Sequence, residues 1–259
     1  MRMRRFFALA ILLATGVYIS TLLARPQSPG DPRKAVVVEL FTSEGCSSCP
    51  PADKLLGHLR QDLAGKNIQV IPLGFHVDYW NSLGWKDRFS SAEFSRRQEQ
   101  YARSLGVDGP YTPQMVVDGT LEFVGSDAGQ AQRAISQAAS QPSTAEVRIS
   151  AGATDQLTVQ VKAPVSANGA SVVMAITEDN LATKVRRGEN GGRELHHAAV
   201  VRELRVLGRL QDGSFESSVP TNLEKDWKRE NLWAVVFVQE ASSGKIQGAA
   251  SVALVGQPR

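Results

Sequence analysis

The two cysteines of this chain, Cys46 and Cys49, lie three positions apart in the stretch Glu44-Gly45-Cys46-Ser47-Ser48-Cys49-Pro50-Pro51. Two thiols at that spacing can close a small disulfide ring, hold part of a metal shell, or pass electrons as a couple. As a staple the ring is poor: in the chain-entropy treatment a bridge across four residues gains roughly 2 kcal/mol, against about 3 for a fifteen-residue loop. As a redox couple the pair is well placed, since one sulfur attacks a substrate disulfide and the other resolves the mixed disulfide. As a metal site it supplies two thiolates, with His76 a candidate third ligand for Cu(I) or Zn(II).

The neighbours of the dithiol set its expected reactivity. Cys46, the first of the pair, is expected to be the more exposed and the attacking sulfur, helped by a nearby helix N-terminus, with Cys49 resolving. Glu44 opposes a thiolate if its carboxylate faces Cys46. Residues before proline avoid the α region, whereas Pro51 suits a first helical position, so the helix is expected to begin just after the dithiol. Ser47 and Ser48 bring hydroxyls but no cation. The expectation is a couple of reductase or isomerase poise and not a strong oxidant.

Downstream, His76, Asp78, Tyr79, Trp80 and Trp85 fall in one aromatic stretch without a helical or strand period. Asp78 could take the proton of Cys49 during resolution, and Tyr79, Trp80 and Trp85 could shape a substrate groove. The plainer alternative is that the aromatics pack this insertion, with His76 and Asp78 as turn or cap residues. Asp53 reads as a first-turn helix acid. Arg187, Glu189, Arg193, His196, His197 and Arg202 read as a loop anchored by ion pairs. His196 and His197, being adjacent, would face opposite sides of a strand.

The elements that must position these residues follow from hydrophobic periodicity. An apolar run at 35–41 reads as a buried strand. Ala52, Leu55, Leu56, Leu59 and Leu63 then share one helical face. A second strand spans 68–75, with Pro72 marking an edge or a bulge. Ser90 and Glu93 have the form of a capping box before a helix over 92–105, ended by Gly106. Strands 114–117 and 120–124 flank an Asp118-Gly119 turn, and Ser126 or Asp127 caps a helix to about 139. Past a boundary at 141–144 the pattern turns to strands at 147–150, 157–161, 171–177, 197–206, 232–239 and 249–255, with one short helix at 223–229. Strands at that density suggest an antiparallel sandwich.

With 42% hydrophobic residues among 259, the chain can bury a sizeable core. The net charge is +3, and several positives sit at the extreme N-terminus. The remainder is near neutral, without the basic stripe or interleaved aromatics of a nucleic-acid binder. Arg2, Arg4 and Arg5 precede an apolar run over 6–24, which reads as an export signal or as an inner-membrane anchor with a cytoplasmic N-terminus. The body is expected outside the cytoplasm, periplasmic or secreted, touching the membrane only through that segment. Such a compartment suits a disulfide couple.

A Cys-x-x-Cys between a strand and a helix, with Pro113 ahead of a later hairpin, resembles the thioredoxin fold. That resemblance implies a cis Thr112-Pro113 bond facing the dithiol and a substrate-pairing role for the Thr112 backbone. More closely, the chain resembles a bacterial secreted family designated domain of unknown function 1223. The matching stretches are ELFTSEGCSSCPPAD at 39–53, HVDYW at 76–80, LGWKD at 83–87, YTPQMVVDG at 111–119, RGEN at 187–190 and VVREL at 200–204.

The expected layout is a signal or anchor (1–25), a linker (26–34), a thioredoxin-like α/β domain (35–142) with a central mixed sheet flanked by helices, and an all-β sandwich-like domain (143–259). The expected activity is thiol–disulfide exchange through Cys46 and Cys49 on an exported protein or small thiol, with a redox partner protein and no cofactor. Thr112, Pro113 and Trp80 are the candidate substrate contacts, and Glu44, His76 and Asp78 surround the dithiol. The alternative is a copper carrier or binding module whose dithiol is a ligand.

Overall fold

The computed structural model describes residues 34–62, 67–152 and 155–254. The basic N-terminus, the apolar run 6–24, the spacer, Leu63 and Val255 lie outside them. Among the described residues no helix is long and apolar enough to cross a membrane.

The first half runs β1 (Lys34–Thr42), α1 (Pro50–Asp62), β2 (Ile68–His76), α2 (Ala92–Leu105), β3 (Gln114–Val117), β4 (Leu121–Val124) and α3 (Ala128–Ser140), the expected order. The α2 cap falls one residue later than expected. Ser91 is extended and its side chain accepts from the Glu93 N–H, while Ser90 bonds back to the Asp87 carbonyl. Asp127 caps α3 by accepting from the Gln130 N–H.

The second half runs β5 (Glu146–Ala151), β6 (Gln156–Lys162), β7 (Ser171–Glu178), β8 (Leu181–Lys184), β9 (Glu194–His197), β10 (Val200–Arg209), β11 (Ser214–Pro220), β12 (Leu232–Gln239) and β13 (Ile246–Ala253). The single strand expected over 197–206 is broken at Ala199, whose φ of 52° is left-handed, and its two pieces enter different sheets. The helix expected at 223–229 is absent, replaced by a turn and a 3-10 turn at Arg229–Asn231. So few residues do not nucleate a helix unaided, and Leu223 and Trp227 are held instead against the apolar core of this half. β8 and β11 went unforeseen: one has four residues, and the other has only two large apolar side chains, Phe215 and Val219.

The architecture is mixed α/β. Eight strands form one mixed sheet in the order β13-β12-β7-β10-β2-β1-β3-β4, beside a three-stranded sheet β11-β6-β5 and the hairpin β8-β9. The large sheet therefore draws strands from both sides of 141–144. β1 and β2 are parallel over nine residue pairs, whereas β10 meets β2 at one, Val200 opposite Gly74. Pro72 fits inside β2 for that reason. The Gly74 N–H points to β10 and bonds the Ala199 carbonyl, so Pro72, two residues earlier, turns its missing donor to the same side before that ladder begins.

Side-chain alternation gives the sheet two buried faces. On one, Val36, Val38 and Leu40 pack with Leu56, Leu59 and Ile135 of α1 and α3. Farther along, Val172, Met174, Ala234 and Val236 pack against Leu157 and Val159 of the small sheet, a sandwich-like contact. On the other face Val37, Phe41, Phe75, Ala175 and Phe237 gather under Phe94 and Tyr101 of α2. Arg97 of α2 pairs with buried Glu39 of β1 at 2.6 Å and bonds Gln239 of β12 at 3.0 Å, so one helix ties strands from the two halves of the chain.

Candidate functional site

Strand register brings the chemistry to one edge of the large sheet. Thr42 lies opposite His76, Phe41 opposite Gln114, and Val200 opposite both Gly74 and Glu178. The dithiol loop after β1, the insertion after β2, Thr112-Pro113 before β3 and the β9–β10 corner consequently meet at the C-terminal end of the parallel strands. Open α/β sheets place their sites there.

Cys46 and Cys49 are joined in a disulfide. The loop tightens through the Cys46 N–H bonding the Ser43 carbonyl, and the Cys49 carbonyl accepts from the Ala52 and Asp53 N–H groups, so α1 begins just after the dithiol, at Pro50, as expected. The expected exposure of Cys46 is corrected: both cysteines are 0% exposed, and Ser47 and Ser48 are the surface residues of the motif. Part of the cause is a strap between β8 and β9. Asn190 is buried and donates to the carbonyls of Glu44 and Cys46, both at 2.9 Å, and the Glu189 carboxylate accepts from the Ser47 N–H at 3.1 Å. Sequence inspection singled out the RGEN motif but not this role, because 144 residues separate Asn190 from Cys46.

Beneath the loop lies a buried polar cluster. The Glu44 carboxylate accepts from Trp85 Nε1 at 2.7 Å, and its other oxygen lies 3.4 Å from His197 Nε2 without hydrogen-bond alignment. His197 Nδ1 lies 3.8 Å from Asp53, so both ring nitrogens lack a hydrogen-bond partner inside the protein. Burial pushes the Asp53 acid up, though His197 and His76 pull the other way. Asp53 is thus more than the first-turn acid foreseen. His76 Nδ1 bonds Asp87 at 2.6 Å, and that carboxylate also accepts from the Glu44 N–H at 2.8 Å. Burial disfavours charge on both partners, but their attraction outweighs it, raising the His76 pKa and lowering that of Asp87. The rings of His76 and His197 stand 4.9 Å apart, edge to face, with Phe89 beside both.

Asp78 does not join this cluster. Its carboxylate accepts from Ser95 of α2 and its N–H donates to the same hydroxyl, so it pins the insertion to the helix. Trp80 does bridge. A Cβ on Gly45 would lie 3.3 Å from that of Trp80, and Trp80 Nε1 donates to Thr112 Oγ1 at 2.8 Å. The Thr112-Pro113 bond is cis. Gly125 packs against Pro113, Ala52 and Leu40, and a Cβ there would stand 2.7 Å from Leu40 Cδ1. His196 is exposed and His197 buried, the opposite facing expected of neighbours on a strand. Among the described residues no group of three or more His, Cys, Asp or Glu side chains is arranged to hold a metal ion. The His76 nitrogen nearest Asp87 is already bonded to it.

The family model described as protein of unknown function (DUF1223) matches residues 37–239. The chain belongs to this family. A DUF1223 relationship covering those residues takes in the dithiol, the aromatic insertion, the strap and β12 together. Among solved structures, the crystal structure of protein AGR_C_4864 from Agrobacterium tumefaciens is 31% identical, with a TM-score of 0.68, covering 85% of this DUF1223 chain and 94% of that one. HBP35 of Porphyromonas gingivalis is 20% identical, with a TM-score of 0.62 over 85% of this chain and 75% of that one, a likeness of fold. No curated protein matches the chain.

Proposed function

We propose that the protein is an exported thioredoxin-like thiol–disulfide exchanger of reductase or isomerase type, working on a protein or small thiol outside the cytoplasm. The observation that carries this reading is the closed Cys46–Cys49 pair at the N-terminus of α1, with Trp80 linking its loop to the cis Thr112-Pro113 corner. In the reduced form the Cys46 thiolate attacks a substrate disulfide, forming a mixed disulfide and expelling one substrate thiolate, which takes a proton. Cys49 then attacks the Cys46 sulfur, re-forming the internal disulfide and releasing the second substrate thiol. Two electrons pass to the substrate, and a dithiol partner restores the reduced couple.

The buried cluster supports the proton side of this cycle. Each reduction of Cys46–Cys49 takes up protons, and an uncompensated thiolate in a buried site is costly. Asp53 lies one turn along α1 from Cys49 and Glu44 two residues before Cys46, with His197 between them, 3.4 Å from Glu44 and 3.8 Å from Asp53. Among the described residues no lysine or arginine pairs with the loop to favour a thiolate, consistent with a weakly oxidising couple. Burial of both sulfurs requires side chains around Cys46 to part before a substrate disulfide reaches it.

The test is trapping. A Cys49→Ala variant expressed in an exporting host is expected to accumulate mixed disulfides through Cys46, resolved by reductant on a gel, and equilibration of the parent with glutathione to give a potential well below about −120 mV, the level of a strong oxidant. Absence of any trapped species, together with stoichiometric Cu(I) binding by the reduced protein, would instead favour the carrier.

A further inference from the structure

A groove of about 740 Å3 opens between the insertion after β2 and the stem of the β8–β9 strap. Lys86, Arg88, Lys184, Arg186 and Arg187 line it, and no carboxylate does. Five like charges around one open space repel one another and create a local positive potential. The net charge of the whole chain is only +3, so this concentration is local.

Few of these cations are spent inside the protein. Arg88 donates to the Ala182 carbonyl and lies over the Phe89 ring, contacts that fix it without neutralising it. Lys184 has Glu194 at 3.8 Å, both well exposed, a pair of little energetic weight. Lys86, Arg186 and Arg187 make no ion pair among the described residues. Thr183, also on the wall, holds a buried hydroxyl oxygen with no hydrogen-bond partner.

The groove is tied to the redox loop through shared neighbours. Trp85 forms part of its wall and donates to Glu44, two residues before Cys46. Arg186 and Arg187 lead directly into Glu189 and Asn190, which bond the Ser47 N–H and the Cys46 carbonyl. We infer that this groove binds the acidic peptide segment flanking the disulfide of the protein's substrate, an assignment that rests on the exchange reading. Several cations spread along an open groove suit a row of carboxylates better than one small anion. A nucleic acid or a lipid headgroup would match the charge but brings no disulfide.

Two model peptide disulfides, identical except for aspartate- and glutamate-rich or serine-rich flanks, test this with the reduced protein. The acidic peptide is expected to be reduced roughly tenfold faster or more at low salt, with the advantage shrinking as salt is raised. Arg186→Glu/Arg187→Glu should bring the ratio of the two rates toward one, and Lys86→Gln/Arg187→Gln, a milder change, should lower it partway if the charge swap does not fold. Equal rates for the two peptides with the parent protein overturn the assignment. If neither peptide is reduced, the exchange reading fails by itself, and the groove is judged by fluorescence anisotropy of a thiol-free acidic peptide on the oxidised protein. Binding weakened by the substitutions upholds the groove, and no binding rejects it. An oligonucleotide that displaces the peptide at lower concentration overturns the peptide as occupant.

Discussion

Asp118 shows how one side chain can hold a turn at a cost. Its carboxylate accepts from the Val37 N–H at 2.8 Å, tying the β3–β4 turn to β1, while its backbone sits at a left-handed φ of 45°. Burial raises its pKa from 3.8 to about 6, although the Val37 bond, Lys34 and Lys245 pull it down. A folded pKa above the unfolded one means the stabilising form is the protonated one. That contribution is complete below about pH 3.8 and is lost as pH rises through about 6. At neutral pH the protein carries a buried carboxylate there. Asp118→Asn keeps the acceptor, tolerates the left-handed backbone and removes the charge, so it should stabilise the protein by on the order of 1–3 kcal/mol at pH 8 and by far less at pH 4. Urea unfolding at the two pH values checks this, and equal effects at both would refute it.

Among the elements, the same turn was legible as Asp118-Gly119 between two short strands, but its docking was not. Gly119 has a φ of +68°, and a Cβ there would stand 2.0 Å from the Gly244 carbonyl oxygen, backbone that cannot swing aside. The Asp118 carbonyl also accepts from the Ile246 N–H at the start of β13. Gly119→Ala should therefore cost at least about 1–3 kcal/mol, read as a lower midpoint in thermal unfolding; an unchanged midpoint would show that the contact yields. Sequence reading did well wherever one local pattern decides. The apolar runs of β1 and β2, the spacing of α1 and the Gly106 stop of α2 are examples. It failed where partners are distant. Nothing near Ala198-Ala199 announces that a strand breaks there to change sheets, and β8 is held by partners distant in sequence, β9 and Arg88. The same limit applied to the site: Cys46 and Cys49 stood out at once, whereas His197, Asp87 and Asn190 acquire their roles only through packing. Asp78 looked available for proton transfer because its hold by Ser95 of α2 leaves no trace in local spacing.

For the molecule as a whole, the two halves share a sheet, a buried face and the hydrogen bond from Arg97 to Gln239. Removing residues 143–259 would take Val173, Ala175, Val235 and Phe237 from the core under α2, and Gln239 from Arg97. It would also leave the Gly74 N–H without the Ala199 carbonyl. A fragment spanning 34–142 should then lack a cooperative unfolding transition by tryptophan fluorescence, with its cysteines freely reactive once reduced. A sharp transition with protected thiols would show the first half to be self-sufficient.

The bond from Asn190 to the Cys46 carbonyl also has a meaning in time. Ribosomes add roughly 5–20 residues per second, so the 144 residues between those positions correspond to about 7–29 s of synthesis. Throughout that interval the nascent thiols have no strap above them. Whichever oxidant or reductant meets the growing chain in that interval therefore finds the two cysteines without the cover that Asn190 later gives them.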